Sequence, residues 1–174
     1  VIVNINANTR VLDRDQQQLI NFDFITKNNN RGFEGIAYDE KSQRLFVANE
    51  QSPRQLLAID GAILNPLEAP MVKSLNITTI WSDDDKRQNF LMSDDYSGLH
   101  FDDESQHLLM LSDESRELVE FNHAGKQLSR LDLSWWNKSL TVSIQQPEGV
   151  TMDNNRNIYV ISEPNLLYRF SPGT

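Results

Sequence analysis

Three stretches of this chain can be laid over one another: Phe33-Glu34-Gly35-Ile36-Ala37-Tyr38-Asp39, Tyr96-Ser97-Gly98-Leu99-His100-Phe101-Asp102 and Pro147-Glu148-Gly149-Val150-Thr151-Met152-Asp153. Each reads as an acid or Ser, then Gly, an apolar residue, a short mixed run and a closing Asp. A second matching run follows each: Leu45-Phe46-Val47-Ala48-Asn49-Glu50, Leu108-Leu109-Met110-Leu111-Ser112-Asp113 and Ile158-Tyr159-Val160-Ile161-Ser162-Glu163. A third run matches as well, in Leu56 to Asp60, Leu118 to Asn122 and Leu167 to Ser171. Self-similarity at roughly fifty to sixty residues, carried by short β-rich runs, belongs to the blades of a β-propeller and not to a helical solenoid. The expected fold is therefore all-β, with four-stranded antiparallel blades.

The runs are bounded by Asp, Asn, Ser, Gly and Pro, and long helical periodicity is absent. Asp39-Glu40-Lys41-Ser42-Gln43, Asp102 to Gln106 and Asp153 to Asn157 join the first strand of each repeat to the second. They have hairpin length, and Asp or Asn there can hydrogen-bond its own backbone. Fourth strands are less alike and are expected near Gln88 to Met92 and Leu128 to Leu133. Ahead of the first full repeat, Val1 to Ile5 and Gln18 to Phe24 read as the last two strands of a blade. The chain thus divides into the end of a blade (1–25), two blades (33–93 and 95–144) and a blade without its last strand (147–171). About thirteen strands make little more than three blades, while propellers close with four to eight. Further blades or a partner chain are expected to complete the ring, because open sheet flanks favour aggregation.

The net charge of −9 argues against nucleic acid, which needs clustered Lys and Arg; a divalent cation is the better partner. With no cysteine, thiolate zinc sites, disulfides and Cys nucleophiles are excluded. No apolar run approaches the roughly 18 residues of a membrane-spanning helix. The chain opens at Val1, so a leader or anchor could precede it.

In a propeller blade the first strand lines the central channel and the second returns antiparallel to it. The start of the first strand and the end of the second therefore share a face. Glu34 and Glu148, with Ser97 at the equivalent place, are expected to ring the channel mouth. Glu50, Asp113 and Glu163 lie one shell further out, and Asp94, Asp95 and Glu114 add to the rim. Oxygen ligands alone favour a hard cation such as Ca²⁺, so the candidate metal residues are Glu34, Glu50, Asp113, Glu148 and Glu163. A structural role competes with this reading: Glu accepts backbone N–H bonds and Gly permits close approach at a crowded axis.

Other motifs carry less. Asp153-x-Asn155-x-Asn157 starts like a calcium loop, but Ile158 stands where an EF-hand needs Gly, and a hairpin fits better. Ser82 to Lys86 reads as a solvated acidic turn, and Trp135-Trp136 as packing at the end of a blade. His100, His107 and His123 show no metal spacing, and no Gly-x-Ser-x-Gly elbow or phosphate-cradling loop occurs, so no catalytic residue is assigned.

Gly32 to Tyr38, Asp94-Asp95-Tyr96-Ser97-Gly98, Leu111 to Arg116, and Pro147 to Asp153 with Ile158-Tyr159-Val160-Ile161-Ser162-Glu163-Pro164-Asn165 resemble the SdiA-regulated (YjiK-like) family of bacterial β-propellers. The resemblance runs through nearly the whole chain and places it in the C-terminal part of the family's pattern. It implies a bacterial cell-envelope protein, periplasmic or membrane-anchored, with no established catalytic activity. It also brings in the wider NHL and SMP-30-like propellers, in which acids at the starts of inner strands hold a channel metal. Two functions follow as expectations. One is a non-enzymatic module that binds Ca²⁺ and a small ligand or protein. The other is a metal-dependent hydrolase of a lactone or phosphoester.

Overall fold

The computed structural model of the chain describes residues 2–5, 12–18, 32–50, 53–61, 76–83, 94–137 and 140–173. Thirteen strands are present among them and no helix. β1 (Ile2–Ile5) and β2 (Leu12–Gln18) form an antiparallel pair. Blade I is β3 (Phe33–Asp39), β4 (Arg44–Asn49), β5 (Gln55–Asp60) and β6 (Asn76–Ser82). Blade II is β7 (Gly98–Asp102), β8 (His107–Ser112), β9 (Glu117–Asn122) and β10 (Gln127–Asp132). Blade III is β11 (Pro147–Met152), β12 (Ile158–Ser162) and β13 (Leu166–Phe170). In each blade, strands adjacent in sequence are adjacent in the sheet, so every blade is an antiparallel meander. The all-β reading and the three-strand repeat both hold.

Two elements fall elsewhere than expected. The second strand of the N-terminal pair is β2 at Leu12–Gln18, upstream of the anticipated 18–24, most of which lies outside the described residues. Its polar run Asp13 to Gln18 hides it from a hydrophobic scan, although ladder pairing is made by the backbone. The fourth strand of blade I is β6, upstream of the expected position; the anticipated 88–92 lies outside the described residues. The β-branched run Ile77-Thr78-Thr79-Ile80 is the signal that marks it.

The blades pack face to face through their inner strands, β3 and β11 flanking β7. Between blades I and II lie Phe46, Leu56, Trp81, Tyr96, Phe101, Leu108, Met110 and Phe121, none more than 6% exposed. Phe46 stacks on Phe101 at 5.3 Å between ring centroids and Trp81 meets Tyr96 edge-on at 6.0 Å. Each such pair adds about 1 kcal/mol beyond the area it buries. Between blades II and III the core is aliphatic, with Leu109, Leu111, Leu118, Leu133, Ile144 and Val160 buried. The spacing of inner strands is set at Gly35. A Cβ there would stand 2.8 Å from Leu99 Cβ and 3.2 Å from the Leu99 backbone nitrogen, so any other residue would force β3 away from β7.

Candidate functional site

Strand register decides which side chains share an end of the blades. Gly98 pairs with Leu111, Ser112 with Glu117, and Glu117 with Asp132, so the starts of β7 and β9 and the ends of β8 and β10 lie together. Phe33 opposite Asn49 and Pro147 opposite Ser162 put blades I and III in the same frame. The opposite end carries the hairpins that follow Asp39, Asp102 and Asp153.

Glu34 and Glu148 occupy the same irregularity in their blades. The register shifts between Phe33 and Gly35, and again between Pro147 and Gly149, so each Glu is the extra residue of a β-bulge. A bulge re-aims its side chain out of the alternating pattern of the strand, and both Glu side chains are exposed. Ser97 stands just before β7 and does something different. Its hydroxyl donates to the Pro147 carbonyl at 2.6 Å and so ties the inner strand of blade II to that of blade III.

The ends of the second strands carry the other acids. Glu50 and Glu163 sit at matching positions, with the Glu50 N–H donating to the Gly32 carbonyl at 2.9 Å and the Glu163 N–H to the Gln146 carbonyl at 3.1 Å. Asp113 is half-buried. Asp95 is buried and structural, its carboxylate accepting the Ser112 hydroxyl and the N–H groups of Asp113 at 3.2 Å and Glu114 at 3.0 Å. The sequence placed Asp95 on the rim, but its role as the strut of the 112–115 turn has no signature in a linear motif.

Charge converges on Glu148. Burial raises its carboxyl above the ordinary range, and the negative charges of Asp113, Glu163, Glu34 and Asp95 raise it further. All three blades contribute to that set. Asp113 is raised as well, first by burial and then by Asp95; Arg116 and the Gln146 N–H act against the rise. Of the ion pairs among the described residues, Arg44–Asp60 at 2.7 Å lies at the hairpin end, while Arg54–Asp83 at 3.3 Å and Arg130–Glu117 at 3.1 Å lie at the rim end on the outer strands; none of these pairs involves Glu34, Asp113, Glu148 or Glu163. Among the described residues no three His, Asp or Glu side chains converge closely enough to form a metal cage. The rim acids are thus close enough to repel and too far apart to share one dehydrated ion.

The weaker motifs resolve locally. Asp153 accepts the N–H groups of Asn155 at 2.9 Å and Asn157 at 2.8 Å, which makes its segment a capped hairpin. Asp83 pairs with Arg54, and residues 84–86 of that acidic turn lie outside the described residues. His107 pairs with Glu120 at 2.7 Å. His100 is half-buried in β7, its imidazole shifted down by burial against the opposing pull of Asp102. Trp135 and Trp136 depart from the expectation of packing. They stack on each other with centroids 3.8 Å apart and remain 59% and 71% exposed.

The SdiA-regulated family model matches residues 1–171. The chain belongs to the SdiA-regulated family. Among solved structures it is similar to a protein of the nidogen/laminin complex (16% identity, TM-score 0.55), covering 80% of this chain and 43% of that one. A luciferin-regenerating enzyme (12% identity, TM-score 0.56) matches 81% of this chain and 45% of its own. A gluconolactonase from Xanthomonas campestris (14% identity, TM-score 0.55) matches 80% and 38%. At these identities the likeness is one of fold, the β-propeller. The chain spans less than half the length of each of these three structures.

Proposed function

We propose that this SdiA-regulated propeller is a binding module whose acidic rim takes a cation, Ca²⁺ being the divalent ion that suits it best. The observation that carries the reading is the set of acids from three blades acting on Glu148. Like charges drawn together at an exposed end of the fold are stabilised by a bound cation or by a proton, and Ca²⁺ tolerates mixed carboxylate, carbonyl and water ligation. Because the rim acids do not form a closed cage, the ion keeps much of its water shell. The expected affinity is that of weak calcium modules, with Kd of about 10⁻⁴ to 10⁻³ M and a strong dependence on salt. Glu34, Asp113, Glu148 and Glu163 are the proposed ligands, direct or through water, with Glu50 further out. A small ligand or protein bearing positive charge would use the same face. The cell envelope is the proposed setting, and further blades or a partner chain the proposed cover for the flanks.

Calorimetric titration with Ca²⁺ tests this reading against the doubly substituted Glu34→Gln, Glu148→Gln chain. Loss of the heat in the double variant is expected, and undiminished binding would remove these residues from the site. The second reading, hydrolysis of a lactone or phosphoester, rests only on the fold shared with the gluconolactonase. Turnover of a lactone or phosphoester panel that chelator abolishes would establish it in place of the binding role.

A further inference from the structure

Exposed aromatic surface is concentrated in the loop between β10 and β11, where Trp135, Trp136 and Val142 all face water. The loop does not need them for its own packing. Its apolar anchors are Leu133 and Ile144, both fully buried and joined by the Ile144 N–H bond to the Leu133 carbonyl at 2.9 Å. Hydrogen bonds hold the pair in place instead. The Trp135 N–H donates to the Ser143 hydroxyl at 2.8 Å, the Ser134 N–H to the Asp132 carboxylate at 2.8 Å and the Asn137 side-chain amide to the Asp132 carbonyl at 2.6 Å. The indoles stack on each other, so one face of each is turned to its neighbour and the other outward.

The same segment leads to the acidic rim. Three residues beyond Ser143, the Gln146 N–H donates to the Asp113 carboxylate and the Gln146 carbonyl accepts the Glu163 N–H at 3.1 Å. Three residues of chain span at most about 11 Å, so the aromatic pair and these acids belong to one surface. Asp132 adds to its charge, the hydrogen bonds from Ser134 holding the carboxyl below its ordinary range. The nearby cations do not cancel this charge. Arg130 is paired with Glu117 at 3.1 Å, and Arg116 lowers the Asp113 carboxyl by less than burial and Asp95 raise it.

Charge and surface together select the occupant. An indole face attracts a cation, more strongly than the other aromatic rings, and a net charge of −9 disfavours anionic lipids and nucleic acid. A neutral ring gains nothing from the acids, and a metal ion that keeps its water shell gains little from the indoles. Ammonium groups joined by methylenes use both. Building on the reading of the rim as a cation-binding face, we propose that Trp135, Trp136 and the adjoining acids bind a linear polyamine. One ammonium lies over an indole face, the methylene spacer runs along the indoles and Val142, and a second ammonium reaches Asp113 and Glu163.

The test uses the 174-residue chain and spermidine. Of the three tryptophans Trp81 is only 2% exposed, so the red edge of the emission reports Trp135 and Trp136. A saturable change there is expected with spermidine, and none with KCl at equal ionic strength or with a neutral diacetylated diamine. By calorimetry, the doubly substituted Trp135→Ala, Trp136→Ala chain should bind spermidine about three- to fivefold more weakly while its Ca²⁺ heat is unchanged. Asp113→Asn should weaken both. A spermidine response that KCl or the neutral diamine reproduces, or equal spermidine affinity in the Trp double variant, would overturn the proposal, and a persisting Ca²⁺ heat would leave the rim reading intact. Spermidine binding that the Trp substitutions weaken, in a chain that shows no Ca²⁺ heat, would remove Ca²⁺ from the rim and keep the polyamine.

Discussion

The hairpin acids at one end of the blades and the acids around Glu148 at the other are the same residue types in opposite electrostatic states. At the hairpin end, Asp39 accepts the N–H groups of Lys41 at 3.0 Å and Ser42 at 3.3 Å, Asp102 those of Glu104 at 3.3 Å and Ser105 at 3.1 Å, and Asp153 caps its turn in the same way. Cations then stitch blade to blade, Arg156 to Asp102 and the Lys41 ammonium to the Asp103 carbonyl at 2.7 Å. Burial alone would raise Asp102, yet the hydrogen bonds from Ser105 and Arg156 outweigh it and bring its carboxyl to about 2. At the rim end, burial and neighbouring acids push Glu148 and Asp113 upward. A repeated acid that meets its donors within its own hairpin is architecture, and one that burial and neighbouring acids push upward is available for a ligand.

The largest effect should come from Asp102→Ala. It leaves Arg156 and the turn N–H groups without their acceptor and should cost about 3 kcal/mol in urea unfolding, against about 0.5 kcal/mol or less for Glu148→Ala. Equal costs at the two ends would break the comparison. Next in size is Gly35→Ala, which forces a Cβ into the Leu99 backbone and should cost about 2 kcal/mol. Gly149→Ala should cost less than about 1 kcal/mol, because the atoms in its way belong to the Ile161 side chain, which is 54% exposed and can turn aside.

Acid should separate the ends as well. The lowered carboxyl of Asp102 contributes stability that is full above about pH 4 and is lost as the pH falls through about 2, roughly 2 kcal/mol in all. The raised carboxyls of Glu148 and Asp113 act with the opposite sign, since their ionised forms are disfavoured in the folded state and protonation relieves them. Thermal melts from neutral pH toward about pH 5 should therefore show no loss and a small gain, followed by a fall below about pH 4. A monotonic fall from neutrality would mean that the rim acids are paired. Smallest of all, Glu148→Gln should raise stability at low salt by about 0.5 kcal/mol or less, a gain that roughly 1 M salt erases.

Much of this was legible in the sequence because the repeat fixes strand order, and strand order fixes which acids share an end. The hairpin roles of Asp39, Asp102 and Asp153 were legible too, since an Asx cap needs only local spacing. β6 carries a β-branched signal in Ile77-Thr78-Thr79-Ile80, but it shares no pattern with the fourth strand of blade II and its first four residues are exposed, so the repeat does not point to it. The bulges at Glu34 and Glu148 depend on pairing partners some fifteen residues away and have no local code. Ser97 looked like a gap in an acidic ring, and its bond to Pro147 belongs to a neighbouring blade. The exposure of Trp135 and Trp136 likewise depends on the loop between β10 and β11, held in part by the Trp135 N–H bond to the Ser143 hydroxyl at 2.8 Å.

The central claim, that the rim is a site of uncompensated negative charge that a cation relieves, is tested most directly by the Glu148 carboxyl itself. Its side-chain carbon can be followed by NMR through a pH titration with and without millimolar Ca²⁺. The account predicts a midpoint above the ordinary glutamate value that moves downward when Ca²⁺ is present, while Asp153, capped within its hairpin, does not move. An ordinary Glu148 midpoint that Ca²⁺ leaves unchanged would contradict it.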